Sequence, residues 1–382
     1  MTKQADFKRR VRARMAKTGE SYAIARRRLL GDQPAPIEDR LAVALHISNG
    51  DGTDLPGTGL ARHIVYWRDV LHEGPVPAVG REELRRVRAA FLTGAHADDR
   101  SEGMRMFLGR DAAVEANREG EYVLWFEADL YDQLQIVEIL ARLAELEVPA
   151  ERITLICIGE HAGIARFGGL GQLSPEQLRE LPATNACATL TPAALELATR
   201  AWAAFRAPTP DGLPAIAATR SGELRFLGEA FERLGREYPS TRDGLSLTER
   251  RILAATADAT QAGAGADVGD AAGAGQGVTA GEVFVRAAAR EARPYLGDSW
   301  CFAAMDRLAR APHPLLDVHP AGTPVERDSL LRLTATGARV LAGEADHVEL
   351  NGVDRWIGGV HLTGRDVRWR WDEGRETLTT GG

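Results

Sequence analysis

Three short stretches of the chain place ionisable and aromatic side chains directly behind apolar runs. The first is "LHISNGDG", Leu45 to Gly52, holding His46, Ser48, Asn49, Gly50 and Asp51. The second, "WRDVLHEGPVP", holds Trp67, Asp69, His72 and Glu73. The third, "LWFEADLYDQLQ", holds Trp125, Glu127, Asp129, Asp132 and Gln133. An imidazole titrates near neutral pH, so His46 is a candidate general base or ligand. Its other reading is a core histidine bonded to a neighbouring strand. Asn49 and Asp51 suit either a ligand contact or a turn closed on its own backbone. Gly50 would let the chain turn sharply or come close to a bound group. Asp69 and Glu73 bracket His72, a set suited to proton transfer or to a divalent cation; a capped surface turn is the alternative. Glu127 directly follows Leu124-Trp125-Phe126, so its carboxylate should be partly desolvated. Desolvation raises a carboxyl pKa, as an acid catalyst requires. Asp129 could serve a substrate or simply cap the next helix. The expected catalytic set is therefore His46, Asp69, His72 and Glu127. Asn49, Gly50, Asp51, Trp67, Glu73, Trp125, Asp129, Asp132 and Gln133 are the expected substrate contacts, with the two tryptophans flanking a flat ligand. A divalent metal is the one cofactor these residue types suggest.

What positions these residues is read from the hydrophobic pattern. Apolar runs at Ala42–Ser48, His63–Trp67, Tyr122–Phe126 and Ile153–Ile158 are too short for helices and predict strands. Between them, Leu84, Val87 and Phe91 form one helical stripe, and Leu130, Leu134, Val137 and Ala141 another. Strands alternating with helices predict an α/β domain: a mainly parallel, Rossmann-like sheet covered on both faces. All strand C-termini then share one edge, where ligands bind. Pro56, Gly57 and Gly59 argue against a full helix between Asp51 and Arg62. No Gly-rich Lys-Ser/Thr phosphate loop, dinucleotide fingerprint or nucleophile elbow is present. "GGLGQ", Gly168 to Gln172, is glycine-rich but lacks the strand–helix context of a phosphate loop.

The expected organisation has five parts. Residues 1–31 are a basic helical hairpin arm and 32–40 a linker. Residues 41–171 form the α/β domain and 172–244 a helical region. Residues 245–382 are a winged-helix-like α+β domain, interrupted at 259–277 by an Ala/Gly-rich insertion expected to be disordered. Thirteen of those 19 residues are Ala or Gly, so they offer no anchoring side chains.

Net charge separates these parts. The chain of 382 residues carries −7, but residues 1–31 hold ten Lys/Arg against two Asp/Glu, so the remainder is −15. Residues 245–382 hold 15 Arg and 19 Asp/Glu, which is not the charge of a DNA-reading surface. Nucleic acid is therefore expected at the arm alone. Three widely spaced cysteines argue against a disulfide framework or a Cys-based zinc site. The absence of a secretory signal core and of long apolar runs places the chain in the cytoplasm, away from membranes. Oligomeric state is not legible.

"LHISNGD", "YWRDVLHEGPVP" and "LWFEADLYDQLQ", in this order, resemble the bacterial proteins carrying "domain of unknown function 1835". The resemblance extends through "GLGQLSPEQL", "AWAAFRAPTP", "GLSLTERRIL", "RPYLGDSWCF" and "NGVDRWIGGVHL", over roughly residues 41–372. It implies a grouping and a C-terminal winged-helix-like region, and no chemistry. Members of that family run a short helix after the NGD turn, which Pro56 and Gly57 disfavour here. The expected function is a hydrolase or transferase for a small phosphorylated or nucleotide-like molecule. The alternative is a ligand-sensing regulator or adaptor that engages a partner through the C-terminal domain or the arm.

Overall fold

The computed structural model describes residues 8–9, 11–13, 37–93, 97–264 and 277–380. Apart from two helical fragments, the basic arm and residues 32–36 of the linker lie outside them, as does most of the Ala/Gly insertion. The rest of the linker is not extended: α1, Ile37–Val43, is a helix. Strand β1 consequently starts only at Leu45 and ends at Ser48. The predicted strand at Ala42 began too early because Ala42 and Val43 are equally apolar in either state.

β2 (His63–Tyr66), β3 (Tyr122–Glu127) and β4 (Ile153–Ile158) follow the predicted runs closely. The sheet order is β2-β1-β3-β4-β5, parallel throughout except that β5, Cys187–Thr189, runs antiparallel to β4. β5 is a correction to the expected all-helical region 172–244. It is three residues long and half-exposed, too short for a periodicity signal. Between β1 and β2 the chain makes a single 3-10 turn, Pro56–Thr58.

Successive side chains of β3 divide between two cores. Leu124 and Phe126 face α4, Leu130–Glu145, which is buried on nearly all sides. Outside it lies α6, Pro192–Arg206. Val123 and Trp125 face a thinner layer built from Leu41, Leu55, Leu170 and Leu178. The sheet is thus covered on both faces, but helically on one only. Two further helices, α2 (Arg81–Thr93) and α3 (Ala97–Ala116), pack on each other beside β2. The spacing of α3's apolar residues is irregular, and no helix was expected there. The remaining short helices are α5 (Pro175–Glu180), α7 (Leu213–Ala217) and α8 (Leu227–Gly235).

A third core gathers Leu245, Ile252, Val283, Met305, Leu316 and Leu331. Its elements run α9 (Leu247–Ala264), β6 (Val278–Thr279), α10 (Ala280–Ala288), α11 (Asp298–Ala309), β7 (Leu316–His319) and β8 (Leu330–Leu333). α9 continues six residues into the expected disordered insertion. The three strands form a sheet of order β6-β8-β7. After α12 (Ala335–Ala342) and α13 (His347–Asn351), hairpins β9–β10 (Val353–Ile357, Val360–Gly364) and β11–β12 (Trp369–Asp372, Thr377–Thr380) close the chain. Val348, Ile357, Val360 and Leu362 pack into the first core, so residues 245–382 do not form one self-contained body. Among the described residues no helix is long and apolar enough to cross a membrane. All three cysteines are free thiols.

One buried ion pair shapes the loop after β2. Arg88 of α2 and Asp69 are each about 1% exposed. The guanidinium Nε donates to Asp69 at 3.0 Å; Nη2 donates to Asp69 at 2.6 Å and to the Val70 carbonyl at 2.9 Å. Nη1 reaches the carbonyls of Glu73 and Pro75 at 2.8 and 3.2 Å. Every donor is used, so the loop Asp69–Pro75 is wrapped around one cation. Replacing Asp69 by Ala strands that cation, and loss of one partner of such a pair costs about 3–5 kcal/mol. Urea unfolding of Asp69→Ala should show that loss as a lowered midpoint at an unchanged slope. A loss below about 1 kcal/mol, the scale of an exposed pair, would show that the pair does not hold the loop.

Candidate functional site

The polar groups of the first and third sequence clusters meet; the second touches the third through Tyr131 and Gln135 and adds no carboxyl group to it. Asn49, just beyond β1, donates its side-chain amide to Asp132 Oδ1 at 2.8 Å. The other oxygen of Asp132 accepts the backbone N–H of Glu127 at 2.5 Å. Asp132 therefore ties the ends of β1 and β3 together. Asp129 caps α4 by accepting the N–H of Asp132 at 3.1 Å. Gln133 donates to the Glu127 carbonyl at 2.8 Å and to Cys157 Sγ at 3.4 Å. Glu127 Oε1 accepts the N–H of Leu170 at 2.6 Å. The "GGLGQ" turn makes that bond available. Gly169 has φ +147°, and a Cβ there would lie 2.6 Å from a Glu127 oxygen.

One oxygen from each of Glu127, Asp129 and Asp132 lies within 4.8 Å of the others. Burial pushes all three carboxyl groups up. Glu127 rises to about 8, through burial first and the adjacent Asp129 charge second. Asp129 rises to about 6, burial again outweighing the N–H groups that favour its charged form. Asp132 lies well above the ordinary carboxylate range, through burial and then its two acidic neighbours. Carboxyl groups packed this closely in low dielectric keep their protons to higher pH than free ones, and a cation bound there would displace those protons. Glu127 and Asp129 line a cavity of about 20 Å³, walled by Gly159, Phe167, Gly169 and Arg293. Such a volume takes about one water-sized guest. An adjoining cavity of about 180 Å³ shares Asp129 and Arg293 and adds Arg233, Arg236 and Arg251.

His46 lies outside both cavities. It is fully buried. Its Nδ1 must accept the Trp125 indole N–H at 2.9 Å, so Nε2 carries the proton and donates to the Leu41 carbonyl at 2.9 Å. Burial holds its pKa below the ordinary value. The strand histidine is thus neutral and saturated. Trp67 and Trp125 are also fully buried; the Trp67 indole donates to Glu138 at 2.7 Å. Neither offers a face to a ligand. Asp51 is exposed and paired with Arg68 at 2.7 Å. Gly50 has an ordinary φ and nothing within 4 Å of where a Cβ would stand, so neither expected reason for a glycine operates there.

The second cluster looks elsewhere. Asp69, bound to Arg88, borders a broad cleft of about 870 Å³ together with Arg68, Arg105 and Tyr131. His72 and Glu73 turn towards the third core. The His72 ring stands edge-on to Tyr131 and Tyr295, with no hydrogen-bond partner on either nitrogen. Burial depresses its pKa to about 3. Glu73 lies 3.9 Å from Arg307 and 3.8 Å from Arg355.

Sequence reasoning missed Arg88, Arg293 and the buried group Arg233–Glu237–Arg355. Arg293 and Arg355 do fall within the stretches "RPYLGDSWCF" and "NGVDRWIGGVHL", which carry the family resemblance. No protein-family model matches this chain, and no curated protein matches it closely enough to count as a relative.

The carboxyl trio makes stability depend on pH in a defined sense. Glu127 has a folded pKa above its unfolded one, so the folded state holds a proton that the unfolded state has released. Its contribution is fully present below about pH 4.5 and is lost as pH rises towards about 8. Glu127→Gln cannot lose that proton. Its melting temperature should fall less than the wild type's between pH 5.5 and pH 8.5, roughly the span over which Glu127 titrates. Parallel curves would mean that Glu127 is already ionised in the folded protein at neutral pH.

Proposed function

We propose that this protein is a divalent-cation-dependent hydrolase or transferase for a small phosphorylated or nucleotide-like molecule, with its site at the C-terminal edge of the sheet. The observation that carries this reading is the Glu127–Asp129–Asp132 trio, clustered within 4.8 Å at the end of β3. Its place in the topology supports it. The chain steps from β1 outward to β2, then returns to β3 on the other side. In open α/β sheets, including those of Rossmann-like type, ligands bind at such a switch point. Mg²⁺ uses one or two carboxylates and leaves its other positions to water and phosphate oxygens. Glu127 and Asp129, which border the cavity, are the ligands in this reading. Asp132 and Asn49 position them. A bound cation would supply Lewis-acid polarisation of a phosphoryl oxygen, and a carboxylate released from its proton would serve as base. His46 is structural in this reading, and Asp69 and His72 take no part in the chemistry. Membership in the "domain of unknown function 1835" group is likewise a proposal, resting on the motifs quoted above.

A second reading, a ligand-sensing regulator, is favoured by one observation. The order α9-β6-α10-α11-β7-β8, with sheet order β6-β8-β7, is the arrangement expected of a winged helix. α11, however, is turned inward: Trp300 stacks on Phe91 of α2 with ring centres 5.5 Å apart. If this region reads DNA, salt-sensitive duplex binding should survive removal of residues 1–31. Loss of all binding with the arm would assign it to the arm.

Cation binding is tested by melting temperature. Mg²⁺ or Mn²⁺ should raise it, and more at pH 8 than at pH 6, because the cation must displace protons. Glu127→Gln should abolish the rise. No rise in the wild type at either pH would sink the metal reading.

A further inference from the structure

The cavity beside the carboxyl trio contains one cation, and the sheet domain does not supply it. Arg293 lies between α10 and α11, in the chain segment that leads into the third core. It is the only Lys or Arg among the residues lining the cavity of Glu127 and Asp129. Its Nη1 donates to the Gly159 carbonyl at the end of β4, at 3.1 Å. Its Nε lies 3.0 Å from both oxygens of Glu229. The Phe226 ring sits 4.7 Å beneath the guanidinium. These contacts fix the plane of the fork and leave Nη2 without a partner among the described residues. Glycine at 159 is part of the same arrangement: a Cβ there would stand 2.4 Å from Arg293 Nη1. Arg233, Arg236 and Arg251 line the adjoining cavity and not this one, and are ion-paired in turn, Arg233 and Arg251 with Glu291 and Arg236 with Glu232.

We propose that Arg293 is the anion-binding group of this site, and that it recognises a phosphoryl group lying in the adjoining cavity of about 180 Å³, which Asp129 and Arg293 also line, and chelated by a divalent cation on Glu127 and Asp129. This rests on the cation reading given above. Electrostatics favours both parts. Three carboxylates repel phosphate, and the Glu229 carboxylate already offsets the charge of Arg293. A divalent cation is therefore what reverses the repulsion, and Arg293 adds a directed N–H donor beside it. With Nε on Glu229 and Nη1 on Gly159, the remaining donor is Nη2, which suits one phosphoryl oxygen. The site is then composite: carboxylates from the sheet edge, the anion clamp from the segment entering the third core.

The test uses the full-length protein, Mg²⁺ and inorganic phosphate. Melting temperature is followed first against Mg²⁺, then against phosphate at saturating Mg²⁺. Wild type should respond to Mg²⁺, and to phosphate only when Mg²⁺ is present. Arg293→Ala should keep the Mg²⁺ response, or strengthen it, and weaken phosphate at least about tenfold, the order expected for one charge-assisted hydrogen bond. Arg293→Lys should fall between, and Gly159→Ala, which displaces the fork, should weaken phosphate while sparing Mg²⁺. A wild type that binds Mg²⁺, with phosphate affinity unchanged in Arg293→Ala, overturns the role of Arg293 and leaves the cation reading standing. A wild type that ignores Mg²⁺ removes both. Phosphate binding that needs no Mg²⁺ overturns the chelate.

Discussion

Asp132 is a carboxyl group with no access to solvent, held between two strand ends by an amide from one and a backbone N–H from the other. Much of the site follows from that arrangement. The bond from Asn49 fixes the NGD turn against α4. The bond from Glu127 fixes the last residue of β3, and with it the direction of the Glu127 side chain. Asp129 caps the same helix turn, so local helix geometry brings its carboxyl beside the other two. None of these contacts is unusual alone. Together they crowd three acidic groups where water cannot screen them, which is the physical origin of their raised pKa values.

The rest of the molecule supports or surrounds this crowding. The "GGLGQ" turn contributes an N–H to Glu127, and only a glycine at 169 permits the approach. Arg88 uses all its donors to shape the loop after β2 that carries Asp69 and Glu73. The third core docks through arginines: Arg293 on Gly159 and Glu229, Arg233 on Glu291, Arg166 on the Ala289 carbonyl. Such hydrogen bonds are directional, so they set one orientation of the two bodies and not merely their association.

Much of the sheet was legible because strands buried on both faces are written as unbroken apolar runs; "ITLICI" could hardly be anything else. α4 was legible from its stripe and its Asp129 cap. Where local signals were weak, reading failed. β5 has three residues, α3 has no apolar period, and Ala42-Val43 suits helix and strand alike. The site was half legible. Glu127 stood out because a carboxylate behind three large apolar residues must lose solvent. His46 misled, since burial and a neighbouring indole satisfy an imidazole as completely as any ligand would. The two tryptophans misled for the same reason: their size drew attention, and their size is what the core uses.

The sequence by itself determined the α/β class, the strand-end position of the acidic residues and the separation of a basic N-terminus from an acidic body. These follow from short-range periodicity, from residue order and from charge, none of which needs distant contacts. Tertiary structure decided which clusters meet. Asn49 and Asp132 are 83 residues apart, and Arg293 lies 134 residues beyond Gly159. Such pairings are set by how helices and sheet pack, not by any local preference of the residues involved. The same packing decides which carboxyl groups lose water, and therefore which of them have raised pKa values.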